Sequence, residues 1–347
     1  TDRASSTGPA PWHNGSIRRT VLGGKDARRA NEVARSTLIV VASVHMGGMF
    51  AGRAQMLVVS DEPPVIQVRK ECANLGRFGG TNASMLRYDD AAARHLEAMY
   101  STPDVIAQRR WTRQALNLHP GESVVDIGSG PGLLAAEMAL DVGPTGRISG
   151  IDISEAMLQM ARSRCARLTS AAPVDFQVGD ATQLPFPDET FNAAVSTQVY
   201  EDVAGVDAAI REVRRVLRPG GRVLVVDTDW DSIVWHGADP PLTATVLRAW
   251  GEHLVDAHLP GTLTRRLRSE GLMVEVQEVH SVLNTAYDTD TYSYGLIGQI
   301  TNFAPGRQGV TKEEAEAWSE QLRRAGEVGN YFFSLNRYLF LAFKETG

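Results

Sequence analysis

Asp126, Asp152 and Asp180 have the most chemistry to offer in this chain, because each follows a short apolar run and meets glycines or a helix start. The first opens Asp126-Ile127-Gly128-Ser129-Gly130-Pro131-Gly132, after which Leu133 to Leu140 is amphipathic. Glycine lacks Cβ, so such a turn bends tightly and a ligand can lie against its backbone. In an α/β sheet a strand–glycine–helix unit sits at the carboxyl edge, where ligands bind. The spacing is Gly-x-Gly-x-Gly, whereas dinucleotide folds carry Gly-x-Gly-x-x-Gly, so a pyrophosphate on the helix N-terminus is the weaker reading. A glycine turn that binds nothing is the plain alternative. Asp152 ends the run from Arg147, twenty positions past Gly132, where a carboxylate can accept from both ribose hydroxyls. Ser154 then reads as an N-cap, with Met157 on the helix it opens. Asp180, after Val174 to Val178, suits either an adenine amino group or an ordinary aspartate turn.

The elements that must position these residues are strands alternating with helices. A fourth strand, Asn192 to Val195, delivers Ser196, Thr197 and Gln198, and a fifth starts at Arg222 after a helix stop at Pro219-Gly220-Gly221. With Leu184-Pro185-Phe186-Pro187-Asp188, Phe191 and the run from Glu212 to Arg222, the order resembles class I S-adenosylmethionine-dependent methyltransferases. The subgroup it resembles most is that of the small-molecule ubiquinone and menaquinone C-methyltransferases. The motifs cover roughly 120–230, and flanking elements extend the likeness to about 85–347.

The resemblance implies a doubly wound, seven-stranded, mostly parallel sheet with an antiparallel last strand, plus helical additions. It implies that the Gly128 and Gly130 backbone faces the methionine part of S-adenosyl-L-methionine, with Asp126 holding its ammonium and Ser129 and Gly132 also binding the cofactor. Asp152 would bind the ribose, Ile153 and Met157 would flank the adenine, and Asp180 and Ala181 would read its edge. Thr197 would lie beside the sulfonium, and methyl would pass to a small-molecule acceptor. The rival readings are a non-catalytic cofactor-binding or regulatory protein and, less favoured, a nicotinamide oxidoreductase.

Composition is compatible with this. The chain has 347 residues, a net charge of −6 and only two cysteines, Cys72 and Cys165, so no disulfide framework or cysteine zinc site is expected. A cytoplasmic location follows as the expectation. Residues 1–84 carry eleven Lys/Arg against six Asp/Glu, net +5; the rest carries 24 against 35, net −11. An acidic catalytic part offers few cationic contacts to a phosphate backbone, so nucleic acid is not expected as a partner. Apolar patches such as Leu38 to Val44 are far shorter than a membrane span. The first 84 residues read as a poorly ordered extension, with an arginine-rich transit segment over 1–36 as the less favoured alternative. The methyltransferase domain is expected over 85–347, with a helical cover at 85–119, where Gln108 or Arg109 could meet the cofactor carboxylate. The sequence is silent on oligomeric state.

The acceptor side is read from loops after the fourth and fifth strands and from a late insertion over 286–328, expected as a helical lid opened by a Thr311/Glu314 capping box. The expected pocket comprises Gln198, Tyr200, Trp230, Tyr292 and Tyr294, aromatic faces with polar tips that suit a flat or partly apolar acceptor. His236, in what reads as a loop, is the candidate general base. Asp227, Asp229 and Asp231 alternate as hard-cation ligands might, but a strand face shared by all three is not maintained through a loop, and no metal is expected.

Overall fold

The computed structural model describes residues 90–346. The extension read over 1–84 and its targeting alternative lie outside the described residues. Two helices come first, α1 (Asp90–Tyr100) and α2 (Pro103–Leu116). An alternating series follows: β1 (Ser123–Ile127), α3 (Leu133–Val142), β2 (Arg147–Asp152), α4 (Glu155–Cys165), β3 (Val174–Val178), β4 (Phe191–Thr197), α5 (Val206–Val216) and β5 (Leu217–Thr228). The last part comprises β6 (Val234–His236), α6 (Pro240–Gly251), α7 (Pro260–Ser269), β7 (Leu272–Asn284), α8 (Tyr292–Phe303), α9 (Lys312–Glu327) and β8 (Phe332–Lys344).

The strands form one sheet in which β3, β2, β1, β4 and β5 are parallel neighbours. β8 runs antiparallel between β5 and β7, with Leu224 opposite Leu341 and Arg337 opposite His280. The seven expected strands are present, and β6 is an eighth: it pairs Trp235 with Phe333 on β8. The segment read as a loop through Trp235 and His236 is therefore partly strand. β5 also starts earlier than Arg222, because Leu217 pairs with Phe191 and the intervening Pro-Gly-Gly is absorbed as an irregularity in the register.

Both sheet faces are buried, so the central strands read as near-continuous apolar runs. Val124, Ile148, Val195, Leu224 and Leu339 pack with α2 and α3, while Val125, Ile151, Ala194, Val223 and Phe340 pack with α5 and α7. A third core lies in the cap: α1, α6, α8 and α9 gather Met99, Trp250, Ile297 and Trp318 with Trp235, Phe333 and Met157. Trp318 is wholly buried and meets Trp235 edge-on at 5.1 Å, a preferred aromatic geometry. The Thr311/Glu314 capping box is present at the start of α9. The late insertion thus shares one core with α1, α6, β6 and β8, and through Met157 that core reaches the helix following β2.

Candidate functional site

The three glycines of the loop share a backbone demand but differ in packing. Gly128, Gly130 and Gly132 all have positive φ, which L side chains rarely adopt. A Cβ on Gly132 would lie 2.7 Å from the Ala161 Cβ and 2.9 Å from its Cα, so this glycine lets α4 press against the loop. A Cβ on Gly130 would meet nothing within 4 Å. The loop is therefore closed on its helix side and open at its tip.

Two carboxylates border that opening. Asp152 accepts from the Gly130 amide at 2.9 Å and from the Ser154 amide at 2.8 Å, tying the loop to the end of β2. Burial raises its pKa, and these amides, which favour the charged form, oppose that rise. Asp126 is 1% exposed, and among the described residues its Oδ2 has no hydrogen-bond partner. Burial, and secondarily the charge of Asp152, push its carboxyl up to about 7. Thr197 ends β4 two residues after Val195, which pairs with Asp126, so it shares that face. The Ser129 hydroxyl is another buried atom without a partner. Ile153 is 60% exposed beside Asp152, although it is a large apolar side chain, whereas Met157 is buried beneath. Asp180 accepts from the Thr182 amide and hydroxyl, both at 2.7 Å, so the aspartate turn is formed, with Ala181 half-buried beside it.

The expected acceptor residues separate into groups. Gln198, at a φ of 57°, interacts electrostatically with the Tyr292 phenol, relating the end of β4 to α8. The Trp230 indole lies against Glu201 and meets Trp250 edge-on at 5.8 Å. Tyr200 instead belongs to the core under α5 and α7, where burial drives its phenol pKa well upward. Tyr294 is partly exposed and packs edge-on against Tyr287. His236 is exposed on β6, with Nε2 3.2 Å from Asn330 Oδ1, on the face opposite buried Trp235. The structure does not gather His236 with the glycine loop. Gln108 and Arg109 are likewise engaged within the fold: Gln108 accepts from Arg337, and Arg109 donates to Glu137 and the Tyr100 carbonyl.

Other polar residues here stand outside the cofactor and acceptor sets read from sequence, where Asp227 is weighed only as a cation ligand. Glu201, on the single turn after β4, is 3% exposed and accepts from the Thr228 amide; burial lifts its carboxyl to about 8. Asp227 is fully buried, accepts from the Val199 amide, and is held well above the usual carboxylate range by burial and by Glu201. Arg337 is the third, and it interrupts the inward row Phe333, Leu335, Leu339, Leu341 of β8. That interruption was the available signal: a charge at the inward phase of an alternating strand. Asp229 and Asp231 meet His258 Nδ1 at 3.3 and 3.6 Å, and among the described residues no acidic or histidine cluster has the form of a metal site.

Residues 125–225 match the family described as a methyltransferase domain. A Streptomyces fradiae protein of unassigned function from transposon Tn4556 is 33% identical over 189 residues, 54% of this chain and 52% of that protein. The 2-phytyl-1,4-naphtoquinone methyltransferase of Synechococcus elongatus is 39% identical over 34% of this chain and 52% of its own length. The ubiquinone/menaquinone C-methyltransferase of Pseudomonas putida is 39% identical over 34% and 46%. The chain thus spans about half the length of the curated relatives it matches. Among solved structures, a Bacillus halodurans protein assigned to the methyltransferases is 20% identical, with a TM-score of 0.50 over 69% of this chain and all of that one, a likeness of fold. The residues that match this family, 125–225, run from within β1 through the glycine loop to within β5, the parallel part of the sheet.

Proposed function

We propose that this protein transfers a methyl group from S-adenosyl-L-methionine to a small-molecule acceptor. The observation that carries this reading is the buried Asp126 carboxylate, one oxygen of which lacks a partner, at the mouth of a glycine loop whose tip is open. Leaving a buried carboxylate oxygen unsatisfied is costly, and a ligand ammonium would repay that cost. Asp152 retains acceptor capacity for ribose hydroxyls beyond its two amide bonds, and exposed Ile153 offers an apolar face to a base.

S-Adenosylmethionine, when bound, supplies a methyl group already activated on a sulfonium. What remains for the chain is placement and exclusion of water. Asp126 and the loop amides would hold the amino-acid end, Asp152 the ribose, and Gln198 with Tyr292 would wall the acceptor side. The quinone enzymes match 34% of this chain, so their acceptors are not carried over to it. The acceptor is taken as a small molecule, and a cytoplasmic location fits that reading.

Calorimetric titration of the folded protein with S-adenosylmethionine and S-adenosylhomocysteine tests the proposal; no binding of either would overturn it. Release of S-adenosylhomocysteine with an acceptor panel separates an enzyme from a non-catalytic binder, and an NADH titration tests the oxidoreductase alternative.

A further inference from the structure

Arg337 sits where the sheet core meets the cap core. Its neighbours along the same face of β8, Leu335 and Leu339, are wholly buried, and so is Arg337 itself. Its guanidinium lies over the Tyr292 ring, 4.4 Å from the centroid, and Nη1 donates to Gln108 Oε1. Among the described residues, Nε and Nη2 have no hydrogen-bond partner. Among the described residues, no carboxylate lies within ion-pair distance of it, although eighteen other such contacts are formed. Glu201 is an acidic group that interacts with it electrostatically, but Glu201 is turned to the Thr228 amide and its burial favours the neutral form.

A guanidinium stays protonated in proteins, and burying one without a counter-ion costs far more than burying a paired one. Two adjacent donors left in a planar fork match the two oxygens of a carboxylate, or one strongly anionic oxygen. Tyr292 contacts both this guanidinium and Gln198, which follows Thr197 at the end of β4. The free fork therefore lies at the acceptor wall, not on an unrelated surface.

We propose that Arg337 is the seat of an anionic oxygen on the methyl acceptor, so that the enzyme selects acceptors bearing a carboxylate or a comparably acidic oxygen. This rests on the methyl-transfer reading for its biological meaning, but the anion seat itself does not depend on it. Gln108 from α2 and Tyr292 from α8 are positioning residues: they hold the fork in plane, and an acceptor bound there would join the N-terminal cover, the cap and the sheet.

The test is calorimetric titration of the full chain with benzoate, phenylacetate and 4-hydroxybenzoate, each against its neutral carboxamide, with S-adenosylhomocysteine titrated separately. The wild type should prefer at least one acid over its amide by tenfold or more. In Arg337→Met that preference should fall below twofold, with S-adenosylhomocysteine affinity within twofold of wild type and a melting temperature no lower. A merely structural arginine would instead lower the melting temperature and leave any acid preference intact. Arg337→Lys keeps the charge but loses the fork, and should weaken acid binding at least fivefold; this variant decides the matter if Arg337→Met does not fold. No acid-over-amide preference in the wild type, or full retention of it in either variant, overturns the proposal. Acid binding without S-adenosylhomocysteine binding would keep the anion seat and remove the methyl-transfer reading. The converse would do the opposite.

Discussion

The Gly130 amide donates to Asp152 Oδ2 at 2.9 Å, so the open tip of the glycine loop is held by the same carboxylate expected to meet a ribose. One side chain thus has a structural and a binding duty. Asp152→Ala should lose both the tie to Gly130 and that to Ser154, as well as the ribose contact. Hydrogen bonds to a charged group contribute about 1.5–3 kcal/mol, so S-adenosylhomocysteine affinity should fall roughly 10- to 100-fold. The urea midpoint should also drop, because two backbone amides lose their acceptor. Unchanged affinity would show that Asp152 is not a ligand residue.

Asp126 yields a prediction in pH. Its carboxyl is pushed up to about 7 in the free protein, chiefly by burial. The folded value lies above the unfolded one, near 3.9, so the native state binds more protons between them, and stability declines as pH rises through that window. The full effect is on the order of 4 kcal/mol at about 1.36 kcal/mol per unit. Asp126→Asn removes the ionisation and should stabilise the free protein at pH 8 far more than at pH 4. Binding runs the other way: pairing with an ammonium needs the charged form, so wild-type affinity should tighten from pH 6 to pH 8. Calorimetry in buffers of different ionisation enthalpy should detect proton release below pH 7. A flat affinity profile, or an Asp126→Asn variant that binds normally, would remove Asp126 from the site.

The glycines should separate fold from function. Gly132→Ala forces a Cβ to 2.7 Å from Ala161, against a helix that cannot yield cheaply, and should destabilise the protein by about 1–3 kcal/mol from overpacking plus the left-handed backbone cost. Gly130→Ala meets no neighbour and should cost only about 1–2 kcal/mol for its φ of 50°. Its added methyl occupies the open mouth, so cofactor KM should rise more in Gly130→Ala than in Gly132→Ala, while the thermal shifts rank in reverse. Equal ranking in both measurements would mean the open space is not the cofactor seat.

The parallel part of the fold was legible because its signals are local. Apolar runs, glycines after strands and the Ser154 and Thr311 caps each act within a few residues, and α2 falls within the helical cover expected over 85–119. What the sequence hid depends on distant pairing. β6 is only three residues long and is strand because β8 offers it a free edge beyond β5. Glu201 and Asp227 look like ordinary loop acids until the sheet buries them. Arg337 is separated from Gln108 by 229 positions, so no spacing rule links them. The site followed the same division: residues of the glycine loop are adjacent in sequence, whereas those of the acceptor wall come from β4, α8 and β8. Tyr200 and Tyr292 illustrate the difficulty. Both are buried tyrosines at the carboxyl side of the sheet, yet they enter different cores.

The acceptor wall gives a last prediction, one that ranks three side chains of similar chemistry. Tyr292 is buried, carries the Arg337 guanidinium on its ring and interacts electrostatically with Gln198. Tyr294, two residues on, is 38% exposed and touches Tyr287. His236 is exposed and reaches only Asn330 among the described residues. Tyr292→Leu keeps apolar bulk but removes the hydroxyl and the ring face. The cation–π contact contributes up to about 2 kcal/mol when desolvated. Acceptor kcat/KM should therefore fall by at least tenfold, with S-adenosylhomocysteine affinity little changed. Tyr294→Leu should fall by less than threefold, since an exposed ring loses little. His236→Ala should keep both kcat/KM and the acid limb of its pH profile. A base role for His236 would instead flatten that limb and cost 100-fold or more. If Tyr294→Leu or His236→Ala loses more activity than Tyr292→Leu, the acceptor binds on the outer face of β6 and not against Gln198.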